Sequence, residues 1–254
     1  MSCWIVALVA LALLPLPSLA QPAETPPVNR LKVTGEHNRL GNGYRDWNEL
    51  PVGYSRQWDR RELAEIALSR SHRFGASDTQ VEAGYTRPFG PQLTLSAQLA
   101  FSPTSLVFPR HSAELGAQYE FMPAWLAHAR LRHTVYRTTS VDQATLMLER
   151  YFGNYSASLG WRTVRALGTQ ANGIELRGNA YYGDDSYVGL IASAGNEATP
   201  TAPAIVTLAD VRALALVGRH RLQPGWSAIY ALNRTRQGGF YTRTGFSVGV
   251  QHDF

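Results

Sequence analysis

The last segment of the chain alternates between apolar and polar positions. In TGFSVGVQHDF, residues 244–254, every second residue belongs to a mostly apolar set, and the residues between are small or polar. The apolar set contains Phe246, Val248, Val250 and Phe254. A period of two is typical of a β-strand, whose successive side chains point to opposite faces.

The same pattern recurs from Leu31 onward, in segments of about ten residues that are separated by turn residues. LTLSAQLAF, AELGAQYEF and YSASLGWR are three examples. No comparable stretch keeps a period of 3.6, so we expect almost no helix. Counting the segments predicts fourteen strands, with twelve as the alternative because the first segment is weakly patterned.

The predicted turns differ in length in a regular way. Short turns such as Phe89-Gly90-Pro91 alternate with connections that are more variable and often longer. The longer connections are Leu40–Asn48, Ser102–Arg110, Ala166–Ala171 and Asn196–Thr207. This arrangement predicts an up-and-down meander with both termini at the end of the short turns.

Alternation alone fits two folds. In a soluble sandwich the apolar face is packed inside, whereas in a transmembrane barrel it faces lipid and the polar face lines the interior. Aromatic residues gather beside the short turns, as they do at a membrane–water interface. These residues are Trp58, Phe89, Phe121, Trp125, Phe152, Tyr155, Trp226 and Phe254. The sequence therefore predicts an all-β, up-and-down antiparallel transmembrane β-barrel.

The two ends of the chain add to this prediction. Residues 1–20 have an apolar stretch followed by small residues, which predicts a signal peptide cleaved after Ala20. Residues 21–30 read as a short leader, and residues 31–254 as the barrel, in the outer membrane of a Gram-negative bacterium. Because lipid offers no hydrogen-bond partners, the last strand must pair with the first, with Phe254 at the inner interface. We expect a monomer whose final strand is recognised by the barrel-assembly machinery.

The charged residues, the cysteine and the histidines do not form the patterns of several common functional sites. The net charge of +5 comes from scattered arginines with one lysine, and no run of like charges indicates a nucleic-acid surface. Cys3 is the single cysteine and lies in the predicted signal peptide. His111, in a predicted loop beside Ser112, is a weak candidate base, since adjacent strand residues point to opposite faces. We predict no catalytic residue, no metal site and no cofactor.

Assigning the polar face inward gives a set of charged residues that line the lumen. The set contains Glu65, Glu82, Glu114, Glu120, His128, Arg130, Arg132, Glu149, Arg162, Glu175, Arg177 and Arg243. Turn positions predict that Glu114 lies opposite Arg132, and Arg130 opposite Glu149. These charges either hydrate and fill the interior or form a constriction that sorts solutes by charge.

One segment, ADVRALALVGRH, alternates poorly, because Arg212 shares a face with Leu214 and Leu216. A β-bulge or an apolar patch that faces the lumen would each explain it.

The chain also resembles the YaiO family of outer-membrane β-barrel proteins. The similarity extends over Leu31 to Phe254 and rests on GNGYRDWNEL, YFGNYSASLGWR, GDDSYVGLIASAGNE, LVGRHRLQPGW and the terminal aromatic residue. The resemblance implies an outer-membrane barrel of poorly defined activity. Similar barrels are also fused to machinery that exports surface polysaccharide, but no helical repeat module precedes the barrel in this sequence.

Three functions remain open. The first is a channel or accessory for passage of small solutes or saccharides, including polysaccharide, across the outer membrane. The second is a non-conducting surface barrel whose external loops, Ser102–Arg110 and Asn196–Thr207, bind a partner. The third is an enzyme that modifies membrane lipid, for which His111 is the one candidate.

Overall fold

A computed structural model describes residues 27–183, 185–203 and 205–254. The predicted signal peptide and most of the predicted leader lie outside these residues. The first strand begins at Val28, so the last three residues of the predicted leader, 28–30, belong to the barrel. Within the described residues, no helix is long and apolar enough to cross a membrane.

Fourteen strands make up the described chain. They are β1 Val28–Leu40, β2 Trp47–Gln57, β3 Leu63–Arg73, β4 Ala76–Phe89, β5 Leu93–Phe101, β6 His111–Met122, β7 Trp125–Val135, β8 Ser140–Phe152, β9 Tyr155–Ala166, β10 Thr169–Tyr182, β11 Ser186–Ala202, β12 Ile205–Gln223, β13 Trp226–Gln237 and β14 Tyr241–Asp253. Each strand pairs antiparallel with its neighbours in sequence, and β14 pairs with β1, which closes the barrel. The prediction of a fourteen-stranded up-and-down barrel is confirmed.

Closure extends to the last residue. Asn29 and Phe254 exchange two backbone hydrogen bonds, each with a nitrogen–oxygen distance of 2.8 Å. The side chains of Arg30 and Asp253 lie on the inner face of the same pair of strands, with Nε 2.9 Å from Oδ1. No sheet edge is left open at the seam, as a membrane-spanning sheet requires.

The apolar face of the barrel points outward. Leu115 and Leu159 are 63% and 55% exposed, and the outward Val248 and Val250 of β14 are 57% and 46% exposed. The neighbouring Ser158, which has the opposite orientation, is buried. This rejects the sandwich, in which the same leucines would pack against a second sheet.

The strand ends form two different rims. At the turn end, which also holds both termini, the connections between strands are short. The predicted aromatic residues lie there, with Phe121, Phe152 and Phe254 41%, 48% and 61% exposed. The rings of Trp226 and His252 stack at 4.3 Å between centroids, and Phe254 stacks on His252 at 5.5 Å. These rings form a belt at one level, as at a lipid–water interface.

The loop end differs from the prediction in two places. The connection expected over Ala166–Ala171 is a tight turn at Leu167–Gly168 between β9 and β10. The connection expected over Asn196–Thr207 is a hairpin, because β11 continues to Ala202 and β12 begins at Ile205. Cross-strand pairs such as Ala198 with Leu208 carry the ladder through this segment. The Ser102–Arg110 connection is a loop as expected.

The segment around Arg212 contains neither a β-bulge nor a lumen-facing apolar patch. Its ladder with β13 is regular, with Leu214 opposite Arg234 and Leu216 opposite Leu232. Leu214 and Leu232 are 53% and 56% exposed, so this face, including Arg212, is the outer face of the barrel. Both explanations offered for this segment were wrong.

Candidate functional site

All twelve predicted lumen residues lie at inward positions of their strands, since each is flanked by residues of the outward face. Glu65 and Glu82 belong to β3 and β4, and Glu114 and Glu120 to β6. His128, Arg130 and Arg132 belong to β7, Glu149 to β8, and Arg162 to β9. Glu175 and Arg177 belong to β10, and Arg243 to β14. Phe246, Val248, Val250 and Phe254 are exposed on the opposite, outward side of β14 and its end.

A connected set of hydrogen bonds along the lumen wall joins β4, β5, β6 and β7. Glu114 lies directly opposite Arg132, as the turn position predicts, and Arg132 Nε is 2.7 Å from Glu114 Oε2. Arg132 also donates to the Gln98 amide oxygen at 3.1 Å, and the Gln98 amide nitrogen donates to Glu82 at 2.7 Å. Each side chain therefore helps to orient the next around the wall. Glu120, nearer the turn end, accepts a hydrogen bond from the backbone N–H of Ala124.

The predicted register between β7 and β8 was wrong. Arg130 lies opposite Thr145, and Glu149 lies opposite Leu126. The turn is centred between residues 137 and 138, because Val135 pairs with Ser140. Glu149 instead receives a hydrogen bond across 3.1 Å from His128 Nε2.

Two further ion pairs lie on the wall formed by β9, β10 and β11. Arg177 Nε is 2.5 Å from Glu175 Oε1 on the same strand. Arg162 forms an ion pair with Glu197 of β11. Glu197 was not predicted as a lumen residue, because its segment was interpreted as a loop. Among the described residues, Arg130 has no carboxylate within ion-pair distance, so this guanidinium is the least neutralised on its side of the lumen.

Asp78 holds the Ser102–Arg110 loop at the mouth of the barrel. Its Oδ2 accepts backbone N–H bonds from Leu106, Val107 and Phe108, at 2.8, 3.0 and 3.1 Å. Its Oδ1 accepts a hydrogen bond from the Ser102 hydroxyl at 2.6 Å, and Thr104 donates to the same oxygen. A carboxylate with both oxygens acting as acceptors suits this set of donors. Because Asp78 is an inward residue of β4, the loop is drawn toward the barrel axis.

Aromatic rings and two arginines fill the part of the same end of the lumen that the loop leaves open. Trp47 and Tyr241 are 2% and 1% exposed, and their ring centroids are 5.6 Å apart. The guanidinium carbons of Arg73 and Arg243 lie 4.9 and 5.5 Å from the Trp47 ring centroid. Arg73 also bonds Glu49 at 2.5 Å. Cation–π contacts are strongest when they are shielded from water, as here.

The tip of the β11–β12 hairpin completes the closure of the mouth. Ala202, Ile205 and Val206 share a gap of about 10 Å³ with loop residues that include Val107 and Phe108. Strands β4 and β5, which hold the loop, lie across the barrel from β11 and β12. The hairpin therefore reaches over the opening and packs against the opposite side.

Tyr136, in the connection between β7 and β8, lines the same gap and packs on the cluster of Val141 and Val164. Burial raises the pKa of Tyr136, and the guanidiniums of Arg73 and Arg132 offset this only in part. The phenol is therefore neutral over the physiological range and contributes to packing at the mouth.

Below this closure the lumen contains exposed inward side chains. A recess of about 280 Å³ is lined by Lys32, Glu65 and Glu82, and Lys32 and Glu65 are exposed within the lumen. Nearer the turn end, Tyr151 and Tyr181 are stacked at 6.2 Å and are 40% and 37% exposed. Tyr187 continues the row at 6.2 Å from Tyr181. We call Tyr151, Tyr181 and Tyr187 the tyrosine row.

The structure changes the position of His111, the one candidate catalytic residue. His111 is the first residue of β6 and does not lie in a loop, which corrects the prediction for this residue. His128 faces the lumen, whereas His133 lies outside and contacts Asp142 at 2.6 Å. Within the described ranges, no three His, Cys, Asp or Glu side chains are grouped as metal ligands.

Comparisons with solved structures support this architecture. A structure described as a bacterial polysaccharide outer membrane secretin is 13% identical, with 89% of this chain and 98% of that chain covered and a TM-score of 0.60. The CymD monoaromatic hydrocarbon channel is 10% identical, with 91% and 89% covered and a TM-score of 0.59. Omp33 of Acinetobacter baumannii is 9% identical, with 89% and 99% covered and a TM-score of 0.56. At these identities the similarity is one of fold.

Sequence comparison gives a more specific result. The family model described as the YaiO membrane beta barrel domain matches residues 28–199, from the first strand into β11. No curated protein matches the chain significantly.

Proposed function

Because the chain belongs to the YaiO family of membrane β-barrels and has the fold of outer-membrane porins and channels, we propose that it passes small solutes of the saccharide class across the outer membrane. In barrels of this kind the short turns face the periplasm and the longer loops face outward. The open half of the lumen then faces the periplasm, and the loop and hairpin close the external mouth.

The observation that carries this proposal is the difference between the two halves of the lumen. Inward residues at the external end, such as Trp47, Tyr241 and Val164, are almost fully buried. Charged inward residues nearer the periplasm include Lys32, Glu65 and Arg177, which are exposed. A wall whose only role was to fill the barrel would be packed throughout, so exposed charged residues beneath a closure made of two segments support a path for solutes.

The closure depends on side-chain contacts that can be broken without disturbing the barrel ladder. Asp78 holds the loop through hydrogen bonds to its backbone, and the hairpin tip meets the loop through apolar contacts. Neither set of contacts includes the ladders that close the wall. The mouth therefore opens by release of the loop and the hairpin tip, while the fourteen strands remain paired.

The tyrosine row favours saccharides among the possible solutes. Aromatic faces offer an apolar platform for the C–H groups of a sugar ring, while polar neighbours bind its hydroxyls. The Asn179 amide donates to Ser156 at 3.0 Å beside the row, and Glu149 lies next to it on β8. Two structures with this fold are described as a polysaccharide secretin and as a hydrocarbon channel, so the architecture admits elongated and apolar cargo.

Uptake by liposomes tests the proposal. Wild-type barrel and the Asp78→Asn variant, which weakens the loop anchor, are compared for entry of a neutral trisaccharide. We expect slow uptake with wild type and faster uptake with the variant. A double Tyr151→Ala/Tyr181→Ala change in the open background slows uptake at low saccharide concentration, while the outward Tyr155→Ala control leaves it unchanged. If neither wild type nor Asp78→Asn exceeds empty liposomes, passage through the lumen is rejected.

The packed mouth also favours a second function, in which the barrel does not conduct and its external surface binds a partner. Loop residues that include Phe108 and the hairpin residue Ile205 line one gap at the external mouth. The same liposome experiment separates the two functions, because a barrel that remains impermeable after the loop is released has no path for solutes.

A further inference from the structure

Three arginines lie on the outside of the barrel at its external end. Arg212 of β12 and Arg234 and Arg236 of β13 are exposed, and they follow the outward row of Leu216, Leu232 and Phe246. That row is exposed and apolar, as lipid-facing positions are. The arginines therefore begin where the apolar surface ends, at the level of the lipid headgroups in the outer leaflet.

The strand register brings these guanidinium groups together. Arg212 and Arg236 are direct cross-strand partners. Arg234 lies opposite Thr244 of β14, which in turn lies opposite Arg39 of β1, so a fourth exposed arginine belongs to the same row. Like charges placed directly opposite each other are destabilising unless something neutralises them. An anion that neutralises the four arginines would therefore stabilise this surface.

The protein supplies little of that negative charge. Asp210 lies 3.9 Å from Arg212, and it is 62% exposed. No other ion pair involves these four arginines among the described residues. Another part of the barrel wall shows the contrast, because the outward Arg165 of β9 lies opposite Asp142 of β8, which also contacts His133 at 2.6 Å. An acidic residue therefore lies opposite Arg165, whereas positive charge is in excess around Arg39, Arg212, Arg234 and Arg236.

We propose that Arg39, Arg212, Arg234 and Arg236 bind the phosphate groups of a phosphorylated lipid in the outer leaflet, of the bisphosphorylated lipid A class. The arginines of β12 and β13 line an outward-opening groove of about 580 Å³ with Thr242 and Asn42. Guanidinium groups bind phosphate oxygens in pairs and remain charged beside a membrane. The acyl chains of the same lipid lie along the row of Leu216, Leu232 and Phe246.

The position of the groove indicates that the phosphate groups belong to a lipid. It lies on the outer wall, above an apolar surface, and it is separated from the lumen by the sheet itself. A soluble phosphate would bind the guanidiniums but would gain nothing from the leucines below them. This binding is independent of solute passage, so either proposal stands if the other fails.

Native mass spectrometry of the purified barrel tests the site. Bisphosphorylated lipid A, its fully dephosphorylated form and inorganic pyrophosphate are titrated against wild type and Arg234→Gln/Arg236→Gln. We expect lipid A to bind the double variant about tenfold more weakly, as loss of charge-assisted bonds implies. Arg165→Gln, at the same end of the barrel but beside Asp142, is the matched control and keeps wild-type binding.

Other outcomes overturn the proposal. Equal binding of the dephosphorylated lipid would show that the acyl chains alone hold it. Pyrophosphate binding as tight as that of lipid A would assign the arginines to a soluble anion. Unchanged binding in the double variant would place the lipid elsewhere. If the double variant fails to fold, the single Arg236→Gln change takes its place. We expect it to weaken lipid A binding by a smaller factor.

Discussion

The carboxylate of Asp78 lies 3.1 Å from the backbone nitrogen of Phe108, thirty residues further along the chain. The bond joins the external end of β4 to the far end of the loop between β5 and β6. Phe108 is buried and lies under the guanidinium of Arg73, which also covers Trp47. One acidic side chain therefore connects the loop to the aromatic cluster that fills the rest of the mouth.

Replacing Asp78 with Asn should open the mouth. An amide of the same shape presents one acceptor oxygen in place of two, and its NH₂ group meets N–H donors of the loop. Loss of one charge-assisted hydrogen bond, at about 1.5 kcal/mol or more, raises the ratio of open to closed states about tenfold. Single-channel recording in planar bilayers should show more frequent openings, while the barrel remains folded.

Asp142→Asn provides the control for that measurement. Asp142 also lies near the external end, but on the outer face, and contacts His133. Its loss should leave the openings unchanged. Equal effects of the two substitutions would show that the loop anchor at Asp78 does not govern the closed state.

Shortening the β11–β12 hairpin should open the other half of the mouth. Replacing residues 199–207 with an Asn-Gly turn keeps the pair Ala198–Leu208 and favours a tight hairpin. The change removes the contact with Val107 and Phe108. Conductance should rise, and combination with Asp78→Asn should give a larger rise than either change alone. Wild-type conductance in the combined variant would indicate a constriction deeper in the lumen.

Much of the barrel was predictable because one rule governs it. Lipid outside and water inside force a period of two, and a tight turn then fixes register, so Glu114 was correctly placed opposite Arg132. The same rule fixes the register less well where the turn is longer. The connection after Val135 was centred in the wrong place, which moved Glu149 away from its true neighbours, Leu126 and His128.

The closure of the mouth could not be predicted in the same way. Three of the five hydrogen bonds to Asp78 come from backbone N–H groups, which every residue except proline has, so no side-chain pattern identifies them. The segment Asn196–Thr207 was predicted to be a loop. Pairing with β12 and packing against Phe108 outweigh that local preference, and both depend on contacts distant in sequence.

Glu114→Gln and Arg132→Gln should change ion selectivity in opposite directions. Loss of the Glu114 carboxylate leaves Arg132 with neutral hydrogen-bond partners at positions 98 and 114 and makes the net charge of the wall more positive. A unit charge about 8 Å from a permeating ion in water changes its energy by about 0.5 kcal/mol, or about twofold in permeability. In the Asp78→Asn background, reversal potentials in a salt gradient should shift toward anions for Glu114→Gln and toward cations for Arg132→Gln. Shifts of the same sign would show that neither side chain faces the ion path.

Two changes at Phe254 should separate barrel closure from recognition during assembly. Deleting Phe254 removes both backbone bonds to Asn29, at about 1 kcal/mol each, whereas Phe254→Ala keeps them and removes the ring. In refolding into lipid vesicles, the deletion should lower the melting temperature of the folded barrel more than the alanine change does. In cells, where we propose that the assembly machinery reads the aromatic end of β14, Phe254→Ala should also reduce the amount of folded barrel in the outer membrane. Gel mobility with and without heating measures both effects, and wild-type levels of Phe254→Ala in cells would exclude the ring as part of that signal.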